Sequence, residues 1–246
     1  MKEIKENIIS WIRKQIKDSK KNGVVLGLSG GLDSSVVAVL CRLALGKEKV
    51  LSLILPCESQ KKDIEDAKSL AKKFDIRTKL VDLTEIYNQL IKILPKANLL
   101  TYANLKARLR MIILYYFANK LNYLVCGTSN KSELMTGYFT KFGDGASDIL
   151  PIGGLLKTEV RKLAEELNIP DFIIKKVPTA GLWEGQTDEK ELGINYEELD
   201  KILNALENKR RIKIEREKIE KVKKMIKNSE HKRKGMVILK IKNGGK

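Results

Sequence analysis

The residues best suited to chemistry in this sequence form one short corner, Leu28-Ser29-Gly30-Gly31-Leu32-Asp33-Ser34-Ser35. A β-branched run at 24–26 precedes it and a longer apolar run at 36–45 follows it, which predicts a strand, a tight loop and a helix. Adjacent glycines let the backbone bend sharply towards a ligand, and the helix that follows points free N–H groups and its positive dipole end at the loop. Because three serines add hydroxyl donors, we predict that the corner cradles phosphate.

Asp33 is the unusual member of this corner. A carboxylate beside a phosphate cradle repels the ligand unless a cation lies between them, and Mg²⁺ commonly bridges carboxylate and phosphate oxygens. The corner lacks the Gly-Lys-Ser/Thr ending of a Walker A loop. The structural alternative is an ordinary Gly-Ser turn in which Asp33 caps the helix. The complete string of eight residues favours the phosphate site.

Alternating strand and helix patterns place this corner in an α/β fold. Short apolar runs at 24–26, 50–55, 77–83 and 123–127 predict strands. Helical patterns lie between them, which favours a parallel sheet with helices on both faces. Ligands of such sheets bind beyond the carboxyl ends of the strands. The corner and Thr128 follow predicted strands, and Asp82 lies at the end of another.

The predicted helices have apolar residues at spacings of three and four. Thr84 is predicted to cap one helix at its N-terminus, and Thr158 to begin another. Two glycine-containing stretches without periodicity, 135–148 and 177–192, are predicted to be long loops, which are usually functional or mobile. The other predicted helices span residues 2–20, 36–45, 58–74, 98–121, 158–167 and 196–227.

The composition indicates a globular protein that binds anions. Its 246 residues are 43% hydrophobic and 32% charged, and the net charge of +17 attracts nucleotides or nucleic acid. Basic residues concentrate at 201–234, where we favour a solvated helix face. No apolar run approaches the roughly 20 residues of a membrane span. Three scattered cysteines without a CxxC spacing predict buried free thiols and no zinc site, and the expected location is the cytoplasm.

The corner resembles the SGGxDS signature of the ATP pyrophosphatase, or PP-loop, superfamily, whose members grip the pyrophosphate of ATP. Further motifs follow in the order 127–133, 136–145, Asp148, 151–157, 178–180, 187–189, 191–193 and His231-Lys232. Over residues 5–240 this ordered set resembles the NAD synthetases. The resemblance implies an adenine nucleotide alpha hydrolase-like, Rossmann-like fold and a ligase that amidates deamido-NAD (nicotinic acid adenine dinucleotide) to NAD. The reaction would consume ATP and ammonia through an acyl-adenylate, releasing AMP and pyrophosphate.

The resemblance also implies which residues bind ATP and metal. Asp33 and Glu133 would share Mg²⁺ as the cofactor, and Asp33 and Lys157 would be the catalytic residues. ATP, the co-substrate, would contact Gly27, Leu28, Ser29, Gly30, Gly31, Leu32, Asp33, Ser34, Thr128, Lys157 and Thr179.

A second set of residues would bind deamido-NAD. By resemblance it consists of Arg108, Lys141, Asp148, His231 and Lys232. Arg110 lies two positions from Arg108 and is an equally plausible anion binder, so the choice between them stays open.

Three expectations concern organisation and nitrogen source. We expect one NAD synthetase domain over 1–246 without a glutaminase domain, so that ammonia is the nitrogen donor. The resemblance implies a homodimer, with small-molecule substrates and neither a membrane nor a nucleic acid as partner. Two alternatives remain: a PP-loop enzyme that modifies tRNA, which the basic charge favours, and a nucleotide- or RNA-binding module without catalysis. Asp33 and Glu133 argue against the module, since binding alone needs no metal pair.

Overall fold

A computed structural model describes residues 1–183, 185–235 and 237–239. Helices and strands alternate through the first half of the chain, and the second half is helical. In chain order the elements are α1 (Lys2–Asp18), β1 (Val24–Gly27), α2 (Leu32–Leu45), β2 (Val50–Ile54), α3 (Lys61–Lys73), β3 (Thr78–Leu80), α4 (Thr84–Ile93), α5 (Leu99–Leu121), β4 (Leu124–Val125), α6 (Lys131–Thr136), α7 (Lys157–Glu166), α8 (Asp171–Ile174), α9 (Asp188–Leu192), α10 (Tyr196–Glu207), α11 (Arg216–Asn228) and α12 (Glu230–Arg233).

The four strands form one parallel sheet in the order β3-β2-β1-β4. In the central strand β1, Val24 pairs with Val50 of β2 on one side and with Leu124 of β4 on the other. A parallel bridge between Cys126 and Ile149 continues the edge beyond β4. The predicted α/β class with a parallel sheet is confirmed, and the carboxyl ends of the strands share one edge.

Helices cover both faces of this sheet, as predicted. Val24 and Leu26 pack into a cluster with α1, α2, α3, α7 and α8. Val25, which points the other way, packs with α4 and α5. This alternation follows from the two-residue period of a strand. A third cluster joins α9, α10 and α11. Among the described residues, none of the helices combines the length and the apolar character needed to span a membrane.

The three thiols are buried and free, as predicted. Cys41 of α2 and Cys126 beyond β4 face each other in the first cluster, with their sulfur atoms 3.7 Å apart. Cys57 lies on the opposite face of the sheet, in the second cluster. The described residues contain no group of three or more His, Cys, Asp or Glu side chains able to hold a metal ion.

Several predicted boundaries were wrong. The strand predicted at 77–83 is reduced to β3, although the N–H groups of Val81 and Leu83 still donate to the carbonyls of residues 54 and 56. The strand at 123–127 is reduced to β4. The helix at 58–74 begins only at Lys61, and the helix at 196–227 is divided into α10 and α11. Short helices α6, α8, α9 and α12 were missed, since a few residues give no periodic pattern.

The prediction that Thr84 caps α4 at its N-terminus is also wrong. Thr84 is the first residue of the helix, and Leu83 occupies the cap position. The Asp82 carboxylate accepts the Thr84 N–H at 2.9 Å, so Asp82 supplies the local acceptor. The Thr84 hydroxyl instead accepts the N–H of Glu58 at 3.1 Å and ties α4 to the loop after β2.

Candidate active site

The phosphate corner connects β1 to α2 at the carboxyl edge of the sheet. Gly30 adopts a left-handed φ of +78° and packs so closely on α3 that a Cβ there would lie 2.4 Å from the Asp63 carbonyl oxygen. The hydroxyls of Ser29 and Ser34 lie 2.9 Å apart, and the Ser29 hydroxyl accepts the Gly31 N–H at 3.2 Å. These contacts aim the N-terminus of α2 at the space beyond the strand ends, as an anion site requires.

Asp33 does not cap α2. Gly31 occupies the cap position, and no side chain caps this helix. The Asp33 carboxylate instead accepts a hydrogen bond from Asn130 Nδ2 at 3.2 Å and a second one from Lys157 Nζ. Lys157 Nζ also lies 3.6 Å from Glu133 Oε1. The corner, the start of α6 and the start of α7 thus bring two carboxylates and one ammonium together.

Burial sets the charge states in this cluster. The Glu133 side chain is 14% exposed, and burial together with the nearby Asp33 carboxylate raises the pKa of Glu133 to about 8. Burial alone would lower the pKa of Lys157, but the charges of Asp33 and Glu133 outweigh it and the pKa rises. Lys157 therefore stays an ammonium ion. Lys157 lies in the first turn of α7, where the helix dipole disfavours a cation, and the two acids compensate for that unfavourable interaction.

The carboxylate pair suits Mg²⁺ by its chemistry. Asp33 and Glu133 are hard oxygen donors on separate elements, and both face the same cavity. After burial, the Asp33 charge is the next cause of the raised pKa of Glu133, and a divalent cation would relieve that repulsion. Two protein ligands leave the remaining positions to water and phosphate, the usual arrangement for Mg²⁺.

A second polar cluster lies beside the first and was missed by the sequence analysis. Asp188 accepts hydrogen bonds from the phenols of Tyr196 at 3.0 Å and Tyr138 at 3.1 Å. The Tyr138 oxygen also lies 2.5 Å from Glu191 Oε2, so its single proton is shared between the two carboxyl groups. Burial raises the pKa of Asp188, and the Lys157 charge opposes that rise. Since Lys157 Nζ lies 5.2 Å from the centre of the Tyr196 ring, the two clusters are continuous.

One cavity of about 530 Å³ joins both clusters to the phosphate corner. Most of the predicted ATP and metal residues line it. They are Gly27, Leu28, Ser29, Gly31, Leu32, Asp33, Ser34, Thr128, Glu133, Lys157 and Thr179, and Lys232 of the predicted substrate set lines it as well. Among the described residues, the lining does not include Gly30, Arg108, Lys141, Asp148 or His231. Gly30 shapes the corner from behind.

Four of the five predicted substrate residues are close together. The Arg108 guanidinium donates to the Lys141 carbonyl at 3.3 Å, and Lys141 Nζ donates to the His231 carbonyl at 2.7 Å. Lys232 Nζ donates to the carbonyls of residues 137 and 139. Asp148 lies apart, where it accepts the Val125 N–H at 2.7 Å at the edge of the sheet.

Arg110 lines the cavity, whereas Arg108 is exposed on the same helix. The Arg110 guanidinium donates to the Leu55 carbonyl at 3.1 Å and to the Ser59 hydroxyl at 3.2 Å. Spacing along α5 could not separate the two arginines, because both follow apolar positions of one helix.

Comparison with known proteins identifies the family. The NAD synthase family model matches residues 4–236. This chain belongs to the NAD synthase family. It is 50% identical over 245 residues to the NH(3)-dependent NAD(+) synthetase of Methanocaldococcus jannaschii, an alignment that covers 95% of each chain. The predicted membership is thereby confirmed, and relatives of this kind give no support to a tRNA-modifying enzyme.

Solved structures of two relatives share the fold of this family member. The NMN synthetase of Francisella tularensis superposes with a TM-score of 0.91 at 36% identity and 98% coverage of both chains. The NH3-dependent NAD synthetase of Campylobacter jejuni, in complex with the nitrate ion, gives 0.86 at 37% identity, with 97% of this chain and 99% of that chain covered.

Proposed function

We propose that this protein is an ammonia-dependent NAD synthetase that amidates deamido-NAD at the expense of ATP. The observation that carries the proposal is the Asp33–Glu133–Lys157 cluster, which faces the same cavity as the phosphate corner. A carboxylate is a poor electrophile and must be activated. An oxygen of the substrate carboxylate would attack the α-phosphorus of ATP, and the bond to pyrophosphate would break. Ammonia would then attack the acyl carbon, and AMP would leave with the electron pair.

Each part of the cluster has a task in this scheme. Asp33 and Glu133 would hold Mg²⁺, which when bound neutralises phosphate charge. Lys157, kept as an ammonium ion by its two acidic neighbours, would stabilise the negative charge that develops on phosphate. The N–H groups and hydroxyls of the corner would bind the pyrophosphate oxygens. Thr128 and Thr179, which both line the cavity, would contact ATP as well.

The rim of the cavity would bind deamido-NAD. Arg108, Lys141, His231 and Lys232 form a connected basic group there, and phosphates and a carboxylate are the ligands that such a group attracts. Asp148 is proposed as the fifth contact residue, which would bind a ribose or an amide of the nucleotide. Arg110, which lines the cavity itself, would face the nucleotide held inside.

Ammonia is the proposed nitrogen source. This rests on relatives named NH(3)-dependent, such as that of Archaeoglobus fulgidus, which is 48% identical over 230 residues. Replacing ammonium with glutamine in purified protein should abolish product formation. Equal rates with the two nitrogen sources would overturn this part of the proposal.

Nicotinamide mononucleotide is the second candidate product. The similarity to the Francisella tularensis NMN synthetase favours it, because amidation of a mononucleotide carboxylate uses the same chemistry. The two candidates are separated by competition between deamido-NAD and nicotinic acid mononucleotide at equal concentration. A preference for the mononucleotide would reassign the substrate without changing the reaction.

One assay tests the reaction itself. Protein, ATP, Mg²⁺, ammonium and deamido-NAD should yield NAD and pyrophosphate in equal amounts. The substitution Asp33→Asn should lower kcat by about 10²-fold or more, because one buried electrostatic group is lost. Asp171→Asn is the matched control, since it removes an exposed aspartate paired with Lys175. No product above the Asp33→Asn level would overturn the proposed function.

We also propose a cytoplasmic homodimer. The outer surfaces of α4 and α5 carry several exposed apolar side chains, among them Ile86, Ile93, Ile112 and Tyr116. Exposed apolar side chains of this kind suit an interface between protein chains. The cytoplasm is where ATP and the dinucleotide are available, and cell fractionation with an antibody tests the location.

A further inference from the structure

Lys106 is a buried lysine of α5 that the proposed chemistry does not use. Its side chain is 8% exposed. The ammonium group lies 2.6 Å from Glu58 Oε2, donates to the Leu182 carbonyl at 3.1 Å and lies 4.9 Å from the centre of the Tyr87 ring. A charge this far from solvent must be paired, and Lys106 is paired by three separate parts of the chain.

Two of those partners belong to segments that line the cavity. Glu58 belongs to the loop after β2, residues 55–60, in which Leu55, Pro56 and Ser59 line the cavity. Leu182 belongs to the 177–183 segment, all seven residues of which line the cavity. Lys106 therefore connects two walls of the cavity that are more than a hundred residues apart in sequence.

The geometry around each segment indicates that Lys106 is the link between them. The 55–60 loop is held to α5 a second time, by Arg110 one turn further along. Leu182 is held on both sides, since its carbonyl accepts from Lys106 and its N–H donates to the side chain of Gln186 at 2.8 Å. The Gln186 side chain in turn donates to Glu191 at 2.7 Å, which joins the segment to the second polar cluster.

We propose that Lys106 is a positioning residue that holds the 177–183 segment against the 55–60 loop before the nucleotide binds. It touches no reacting atom, and it acts through Leu182 and Glu58. Ordering a wall of the cavity in advance lowers the cost of ordering it on binding. ATP should therefore bind more tightly to the protein with Lys106 than without it, while the chemical step is little affected.

The test uses the tryptophan within the segment. The chain has two tryptophans, Trp11 and Trp183, so Trp11→Phe leaves one reporter of this wall. In that background, Lys106→Met keeps most of the length of the side chain and removes its charge, and Lys106→Arg restores the charge. Lys73→Met is the matched control, because Lys73 also pairs with a backbone carbonyl, at 2.6 Å, and an aromatic ring, but it is exposed and does not line the cavity.

Three measurements are made on the full-length protein. Without nucleotide, Lys106→Met should shift the Trp183 emission to longer wavelength and speed proteolytic cleavage within the segment about 10-fold, because the segment opens more often. With ATP and Mg²⁺, the KM for ATP should rise about 10-fold while kcat changes less than twofold. Lys106→Arg should recover most of each effect, and Lys73→Met should match the parent protein.

Several outcomes would overturn the inference. Unchanged emission and cleavage in Lys106→Met would show that the segment does not depend on this lysine. A fall in kcat without a change in KM would indicate a catalytic role instead. If Lys106→Met fails to fold by circular dichroism, Glu58→Gln decides, since Glu58 is 43% exposed and its loss removes only the ion pair. In Glu58→Gln, the Trp183 emission and the cleavage rate should then shift in the direction expected for Lys106→Met. An unchanged emission and cleavage rate would overturn the proposal.

The kinetic readout rests on the proposed function, whereas emission and cleavage do not. A parent protein that makes no NAD would overturn the proposed function alone. The positioning role would then stand or fall by the two measurements made without substrate.

Discussion

Behind the phosphate corner, two aspartates of α3 hold the lysine that leads into the 177–183 segment. Lys176 Nζ lies 2.6 Å from Asp63 Oδ1 and 2.8 Å from Asp66 Oδ2. The Asp66 side chain is 3% exposed, and Lys62 Nζ lies 2.6 Å from its other oxygen. Burial alone would raise the pKa of Asp66, but hydrogen bonds from the two lysines hold it below its ordinary value.

Asp66→Asn should lower the free energy of unfolding at pH 7 by about 1–2 kcal/mol, because two charge-assisted hydrogen bonds are weakened. A carboxyl group whose pKa is lower in the folded than in the unfolded protein stabilises the folded state at pH values above its unfolded pKa, which is near 3.8. That stabilisation is lost as the pH falls through the folded-state pKa. The difference between the parent and Asp66→Asn should therefore narrow below about pH 4. Urea unfolding at pH 7, 5 and 3 measures it.

Asp75→Asn serves as the control for this prediction. Asp75 also pairs with two cations, Arg42 and Lys47, but it is 61% exposed. Its loss should leave the free energy of unfolding nearly unchanged, because water screens the pairs. A difference for Asp66→Asn that persists unchanged at pH 3 would contradict the assignment.

At the scale of elements, the end of α6 fixes the position of α12. Gly137 ends α6 with a φ of +72°, and a Cβ added there would lie 2.1 Å from the Ser229 Cβ. Ser229 immediately precedes α12, whose Lys232 donates to the Gly137 carbonyl at 2.8 Å. A glycine is needed here for both the left-handed backbone and the close approach.

Gly137→Ala should lower the free energy of unfolding by about 2–4 kcal/mol, since backbone strain and a steric clash add together. It should also raise the KM for deamido-NAD, because α12 and Lys232 are displaced. Chemical denaturation and steady-state kinetics measure the two effects.

Gly193→Ala separates the strain from the clash. Gly193 has a similar left-handed φ of +61°, but a Cβ there would meet mainly the flexible end of Lys221. It should cost only about 1 kcal/mol and leave the KM unchanged. Equal costs for the two alanine variants would refute the proposed contact between Gly137 and Ser229.

At the scale of the whole molecule, α5 has two different sides. One side packs on the sheet through residues such as Leu109 and Leu114. The other exposes Ile112 at 62% and Tyr116 at 57%, and α4 also carries exposed apolar residues. Because α5 also provides Lys106, Arg108 and Arg110, an interface on its outer side would lie close to the substrate rim.

Ile112→Glu should convert the proposed dimer into a monomer, because a charge in an apolar interface must be desolvated without a partner. Sedimentation velocity measures the change, and the fall in specific activity should follow the fraction of monomer. Leu43→Glu is the control, since Leu43 is 48% exposed on the opposite helical layer. A parent protein that sediments as a monomer would rule out the interface.

The parts of the site that are local in sequence could be predicted from it. The phosphate corner needs only a strand, two glycines and a helix start, all within residues 24–45. Lys157 and Asp33 are 124 positions apart in sequence, so only the family resemblance predicted that both belong to the site. The contact of Lys106 with Leu182 spans 76 positions and leaves no local pattern at all.

The predictions that failed or stayed open have the same physical origin. Asp188 appeared only as part of a polar run in a predicted loop, because its phenol donors come from α10 and from the chain after α6. Short helices and short strands depend on tertiary contacts more than on propensity. The roles of Asp148 and of Arg108 stay predictions, since their neighbours in the structure are protein groups.

The three buried thiols can report which part of the molecule opens to solvent. Cys41 and Cys126 are sealed between α2 and the sheet, so a thiol reagent reaches them only when that core is disrupted. Cys57 belongs to the 55–60 loop and packs on the other face of the sheet. Its labelling rate reports the opening of one cavity wall, and the rate of the paired thiols reports disruption of the core. A single labelling time course therefore distinguishes local breathing from global unfolding.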